Sequence, residues 1–430
     1  MIITEHVLQC IIAAGTLSIV HLNPSTPSVP PFNVTDVIRS PYFTIDETKK
    51  LFREFAEDSD FLIDDAVAED IWVKSNGLVV QLDWCIVPKY LNSHPAMVCL
   101  CGHMIYRNWK TLIFHQSRTI SYYSWQRFPA ERLYEQISSY NRFISMIKSL
   151  SRPEASSSVD LLRSQFTGFL GNVTLTDEKA KKDADALTSE GVLLKLDPAV
   201  ACYQMASPLV DGLIRNQLIP AIFPNAPSSP LPCQDTGDVN VLGILTESIK
   251  FFDKALILNA SSCSYKKPKV KIHGLHGHNV PRESVYDTEL MRILANWLRK
   301  YQWSVHGQWH MENNSRRHTH SDIVLKNPDD QTIVLELLAT GERSFVESHI
   351  RKTPEYATLL SANEAWVVHF TRQEDYQLEP VWQTDVELSN GINVVHFAHD
   401  LGFTNVVMSA RWKDSAGETR LEVGKSLPLD

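Results

Sequence analysis

The chain reads as an α+β protein of several domains: a helical N-terminal part, a region of helices around a short hairpin, and a C-terminal α/β domain. Three observations predict this. At 430 residues the chain exceeds one ordinary core, since single cores stop growing near about 250–300 residues. Two Pro-rich stretches, 24–33 (PSTPSVPPFN) and 224–238 (PNAPSSPLPCQDTGD), interrupt it where neither helix nor central strand can continue. Beyond 238 the apolar pattern changes from helical periodicity to strands alternating with helices.

Composition narrows the function classes. Hydrophobic residues make up 43% and charged residues 21%, as in globular rather than disordered chains. A net charge of −9 argues against a surface that coats nucleic acid throughout, but leaves room for a local basic patch. Seven cysteines are scattered, with only Cys99 and Cys101 close together, which is neither a disulfide framework nor a zinc ribbon. No apolar run reaches the roughly 18 residues of a membrane span, so no membrane partner is expected. The stretch 7–20 (VLQCIIAAGTLSIV) has the length of a signal-peptide core, but no Lys or Arg precedes it. It reads as a buried strand or strand-turn of a globular domain.

Thr44 precedes a helical pattern (Leu51, Phe52, Phe55) with Asp46 and Glu47 in its first turn. A second helix is predicted near Ala66–Val73. Residues 129–150 place Leu133, Ile137, Tyr140, Phe143 and Ile144 on one helical face. After a linker at 151–158, helices near 158–169 and 177–189 lead to a hairpin, Val192–Leu196 and Tyr203–Met205, and then to an apolar helix opened by Pro208. Helices, hairpin and helix suggest a winged-helix-like unit, equally suited to protein contact or to reading DNA. The expected organisation is 1–128, 129–223, a linker at 224–238, and 239–430.

The C-terminal part carries the chemistry. A helix is predicted at Arg282–Tyr301, holding Glu283 and Glu289. Strands follow at Trp303–Met311, Asp322–Leu325 and Thr332–Leu338, the last two joined by the turn cluster 327–330 (NPDD). A helix at Phe345–Leu360 and a strand at Ala365–Phe370 complete the run. Asp322 opens one strand and Glu336 lies near the end of the next, so a hairpin can bring the two carboxylates to one place. With Glu289 (or Glu283) they would form an all-oxygen donor set for Mg²⁺, which polarises a scissile phosphate and acidifies an attacking water. Strand-end acids are also commonly solvated or paired with arginine.

This order resembles the PD-(D/E)xK phosphodiesterases, which implies a restriction-endonuclease-like domain with Asp322 and Glu336 as catalytic and metal-binding residues. The pattern departs at the lysine, because Glu336-Leu337-Leu338 puts Leu there. Lys326 and Lys352 are candidates for a displaced lysine. The phrases SDIVL (321–325), TIVLELLATG (332–341), EAWVVHFTR (364–372) and NVVHFAHDLGFTNVVMSARW (393–412) resemble Crinkler effectors of filamentous eukaryotic microbes, where E-L-L in place of E-x-K is familiar. That resemblance implies secretion into a host cell or its nucleus, with nucleic acid or a host or self protein as partner.

Upstream, 11–22 (IIAAGTLSIVHL), 67–77 (VAEDIWVKSNG) and 94–102 (HPAMVCLCG) resemble the last third of an AAA- or STAND-like ATPase, with 78–93 as an insertion in its lid. Nothing matches GxxxxGK[S/T], so the remnant is expected to bind no ATP.

Two weaker signals remain. His273, His276 and His278, with His318 and His320, have a density that can bind zinc, though solvated loops share it. Residues 261–300 hold eight Lys/Arg against three acids. Lys266, Lys267, Lys269 and Lys271, extended by Arg316 and Arg317, could track a phosphate backbone or form a solvated basic face.

Overall fold

The computed structural model describes residues 43–59, 61–75, 95–112, 118–122, 124–125, 133–197, 200–234, 236–263, 271–272, 274–312, 318–329, 331–373, 376 and 379–429. The apolar stretch 7–20, the Pro-rich stretch 24–33 and the insert 78–93 lie outside the described residues.

Helix α1 (Ile45–Asp58) starts at Thr44, whose hydroxyl accepts the Glu47 N–H while the Glu47 carboxylate accepts the Thr44 N–H, a capping box. Helices α2 (Asp65–Lys74) and α3 (Pro95–Leu112) follow, with β1 (Leu62–Ile63) paired in parallel to β2 (Thr119–Ile120). The periodic segment 129–150 is divided at Tyr140, giving α4 (Tyr134–Ser138) and α5 (Asn141–Leu150). Next come α6 (Ser156–Gln165), β3 (Val173–Thr174), α7 (Glu178–Ser189), β4 (Leu193–Asp197) and β5 (Cys202–Met205). The three strands form a small sheet in the order β3-β5-β4. Helix α8 (Pro208–Leu213) runs through a π turn, Ile214–Leu218, into α9 (Ile219–Ile222). One apolar core joins residues from Phe52 to Ile219, so the division expected at 128/129 does not divide this unit.

The segment 224–238 separates two cores but is no loose tether. Arg292 donates to the carbonyls of Phe223 and Asn225, and the Trp297 indole donates to Ser229 O at 3.0 Å.

The C-terminal unit holds α10 (Val241–Ile249), α11 (Lys254–Cys263), α12 (Glu283–Leu298), β6 (Ser304–Glu312), β7 (His318–Lys326), β8 (Thr332–Ala339), α13 (Arg343–Leu359), β9 (Glu364–Thr371), α14 (Asp385–Ser389), β10 (Ile392–His399), β11 (Val406–Lys413) and β12 (Thr419–Leu427). Its seven strands form one mixed sheet, ordered β12-β11-β10-β9-β8-β7-β6. Strands β8, β9 and β10 are parallel, and the outer pairs are antiparallel. The β7–β8 turn is closed by the Asn327 side chain, which accepts the N–H groups of Asp329 (3.0 Å) and Gln331 (2.8 Å). The two copies of VVHF lie side by side in register, Val367 beside Val394 through Phe370 beside Phe397.

Strand alternation sorts the side chains. Ile323, Leu325, Leu335 and Leu337 join α12 residues Leu290, Ile293 and Leu294 in one core. Leu338 packs on the other face against Val346 and Ile350 of α13, and Val324 against Tyr356. The molecule is thus a mixed α/β, multidomain structure. Among the described residues, no helix is long and apolar enough to cross a membrane.

Candidate functional site

The hairpin register decides the placement of the two acids. Ile323 pairs with Leu335 across the antiparallel β7–β8 ladder. Asp322, one residue before, and Glu336, one residue after, stand just beyond this last registered pair, on the same face by strand alternation. Asp322 Oδ2 accepts the Leu337 N–H at 2.7 Å, and Glu336 Oε1 is 2.8 Å from His349 Nδ1 on α13. Glu336 is 4% exposed, and its second oxygen, Oε2, has no hydrogen-bond partner among the described residues.

Electrostatics mark this pair as only partly compensated. Burial first, and then the charges of Glu336, Glu283 and Asp287, raise the Asp322 carboxyl well above its ordinary range. Burial also raises Glu336, against the lowering influence of His349 and Lys352. Asp287 is pushed up to about 6 by burial, opposed by Arg215. Glu336 is buried and Asp322 partly so; acids that press on one another away from water favour either a proton or a cation between them. Among the described residues, however, no three His, Cys, Asp or Glu side chains stand together as a set ready to hold a metal ion. The third carboxylate is at electrostatic range, not at bonding range.

The sequence-predicted residues fare differently. Asp322 and Glu336 are brought together, and Lys352 on α13 is near enough for its charge to act on Glu336. Lys326 sits at the turn end of the hairpin, paired with Thr332. It lies four positions along the strand from Asp322, roughly 13 Å at the rise of a strand, so it does not reach the site.

Glu289 is a correction. It is fully buried and committed to arginines: Oε1 accepts from Arg163 (2.5 and 3.0 Å) and Arg292 (3.2 Å), and Oε2 from Arg292 (2.9 Å) and the Asp253 N–H (3.0 Å). Nothing is left of it for a metal. The α12 acids whose charges reach Asp322 are Glu283 and Asp287.

The basic stretch is also dispersed. Arg292 and Arg299 donate to backbone carbonyls, Arg299 to Asn216 O at 2.9 Å, and Arg282 lies over the Phe169 ring at 3.9 Å. Lys271 is exposed. Lys266, Lys267, Lys269, Arg316, Arg317 and His273 lie outside the described residues. So do the side chains of His318 and His320. His276 and His278 are exposed.

Sequence reasoning missed His349 and Arg215. Ten residues C-terminal to the end of β8, His349 falls on the inner face of α13 with Val346, Ile350 and Thr353, which are buried. That spacing was the available signal.

No family model matches the chain, and no curated protein matches it. Among solved structures it is similar to Can2 from Sulfobacillus thermosulfidooxidans in complex with cyclic tetra-adenylate. The two share 9% identity over 83% of this chain and 78% of that one, with a TM-score of 0.19. A likeness so slight carries no argument.

Proposed function

We propose that residues 239–430 form a restriction-endonuclease-like domain in which Asp322 and Glu336 hold Mg²⁺ against a phosphodiester of nucleic acid. The supporting observation is the bare, buried Glu336 Oε2 on the strand that pairs with that of Asp322. The order of elements agrees with this reading: an acid-bearing helix, α12, then β6, β7 and β8, then α13 crossing to β9. When bound, a hard cation would polarise the phosphate and lower the pKa of an attacking water. Lys352 would add positive charge beside the phosphate, and His349 would orient Glu336 through its 2.8 Å contact. Leu338 stands where a lysine would hold the water, so turnover is slow. With that reading goes the resemblance to Crinkler effectors: action inside a host cell, a winged-helix-like contact surface at 129–223, and an ATPase remnant without ATP.

The second reading is a non-catalytic module that binds nucleic acid or protein. It is favoured by the bonds already made by Asp322 Oδ2 and Glu336 Oε1. The deciding assay is Mg²⁺-dependent cleavage of single- and double-stranded DNA and RNA by the full chain. Cleavage abolished by EDTA, and reduced at least ~100-fold in Asp322→Ala and Glu336→Ala, supports the first reading. Binding without cleavage supports the second. Variants that cleave as well as the parent remove the site.

A further inference from the structure

The geometry points to a second binding site, independent of the carboxylate pair. A cavity at the foot of β9 takes a small organic cation, an ammonium or guanidinium group on a short apolar chain, held by Glu364 beside Trp366 and Trp412.

The cavity measures about 330 Å³, within the range of about 300–1,000 Å³ usual for small-molecule sites. Three parts of the C-terminal unit enclose it. Asn240 stands just before α10, Glu364 and Trp366 open β9, and Trp412, Asp414 and Arg420 belong to the β11–β12 hairpin. Trp366 and Trp412 pack into the core on the α12 side of the sheet. Glu364, two residues before Trp366, lies on that same side by strand alternation. Asp322 and Glu336 lie on the other, with Val324 and Leu338, which pack against α13.

Each wall is fixed from behind. Asn240 Oδ1 accepts the Gly243 N–H at 2.9 Å, and the Asn240 N–H donates to Pro232 O at 2.9 Å. Asp414 Oδ1 accepts the N–H groups of Ala416 (3.0 Å) and Glu418 (2.9 Å), which closes the hairpin turn. Asn393, in register with Trp366, accepts the Lys413 N–H at 3.1 Å, so its amide is set beside Glu364.

The lining lacks a positive charge for its acid. Glu364 Oε1 accepts from the Trp366 indole at 2.7 Å and from Asn393 Nδ2 at 3.1 Å, while among the described residues nothing donates to Oε2. Burial pushes this carboxyl up to about 7 against the bond from Trp366, and the charge of Asp238 adds to the rise. Arg420 does not relieve it, being bonded to Asp414 at 2.6 Å and to Glu418 at 2.9 Å. An anion would meet these acids, and a neutral apolar ligand would leave Oε2 without a donor. A cationic N–H donor answers both, through a charge-assisted bond to the carboxylate and the attraction of indole rings for cations.

The test is calorimetry on the full chain with n-butylguanidinium, n-butylammonium and the neutral isostere n-butylurea. The parent should bind the two cations with a Kd on the order of 1 mM or below, and butylurea at least ~10-fold more weakly. Glu364→Gln keeps an oxygen for Trp366 and Asn393 but loses the charge. It should weaken both cations by about 10–100-fold and leave butylurea as in the parent. Trp412→Leu, which leaves Glu364 untouched, should weaken the cations by about 2–5-fold and decides if Glu364→Gln fails to fold. Asp322→Asn should bind as the parent does. Butylurea bound as well as the cations, parent-like cation affinity in both Glu364→Gln and Trp412→Leu, or no binding by the parent overturns the site. So does loss of binding in Asp322→Asn, which would move the cation to the strand acids.

Discussion

His396 is held neutral because it is sealed in the sheet interior among His369, Tyr376 and Trp382, with its Nε2 2.7 Å from Val381 O. Burial lowers its pKa to about 4. A folded value below the unfolded one means that its contribution is present above about pH 6.5 and is lost as pH falls toward 4, at about 1.4 kcal/mol per pH unit. In urea titrations, the stability gap between the parent and His396→Phe should therefore narrow from pH 6.5 to pH 4. A gap independent of pH contradicts the buried neutral state. Leu338 is the second telling residue, fully buried against Val346, Ile350 and Val367. Leu338→Ala should cost about 2–5 kcal/mol, read from the urea midpoint. A cost near zero would mean that the position is not core.

Elements show what the sequence made legible and what it hid. The β7–β8 hairpin is readable because Asn327-Pro328-Asp329-Asp330 can only turn, and its register then leaves Asp322 and Glu336 just past its last pair, Ile323 and Leu335. Helix α12 was readable as a helix but not in its allegiance. Glu283 and Asp287, four apart, share a stripe, whereas Glu289 lies about 200° around the axis from Asp287 at about 100° per residue. That rotation turns Glu289 toward Arg163 and Arg292. Arg215 was beyond reach of any local pattern, since 72 residues separate it from Asp287 and only the docking of two units joins them. Strand β6 is pressed between α12 and the π turn. At Gly307 a Cβ would meet Met291 Sδ at 2.5 Å as well as the guanidinium. Gly307→Ala should destabilise by about 1–3 kcal/mol, and an unchanged midpoint would show that β6 has room there.

At the scale of the molecule, two cores are fastened by buried ions. Arg163, 3% exposed in its side chain, reaches from α6 to Glu289 and, at 3.0 Å, to Asp253. Removing one partner of a buried pair costs about 3–5 kcal/mol, because the other charge is left bare. The parent should accordingly unfold in one transition by both far-ultraviolet dichroism and tryptophan fluorescence, and Arg163→Met should separate the two probes. Coincident curves in that variant would show that the units cohere without the network. The central claim is that a cation is held where two strands oppose their acids. The most direct test is anomalous scattering from crystals soaked in Mn²⁺. A peak within bonding distance of both Asp322 and Glu336 is the predicted result; carboxylates that remain apart, with manganese elsewhere or nowhere, would contradict it.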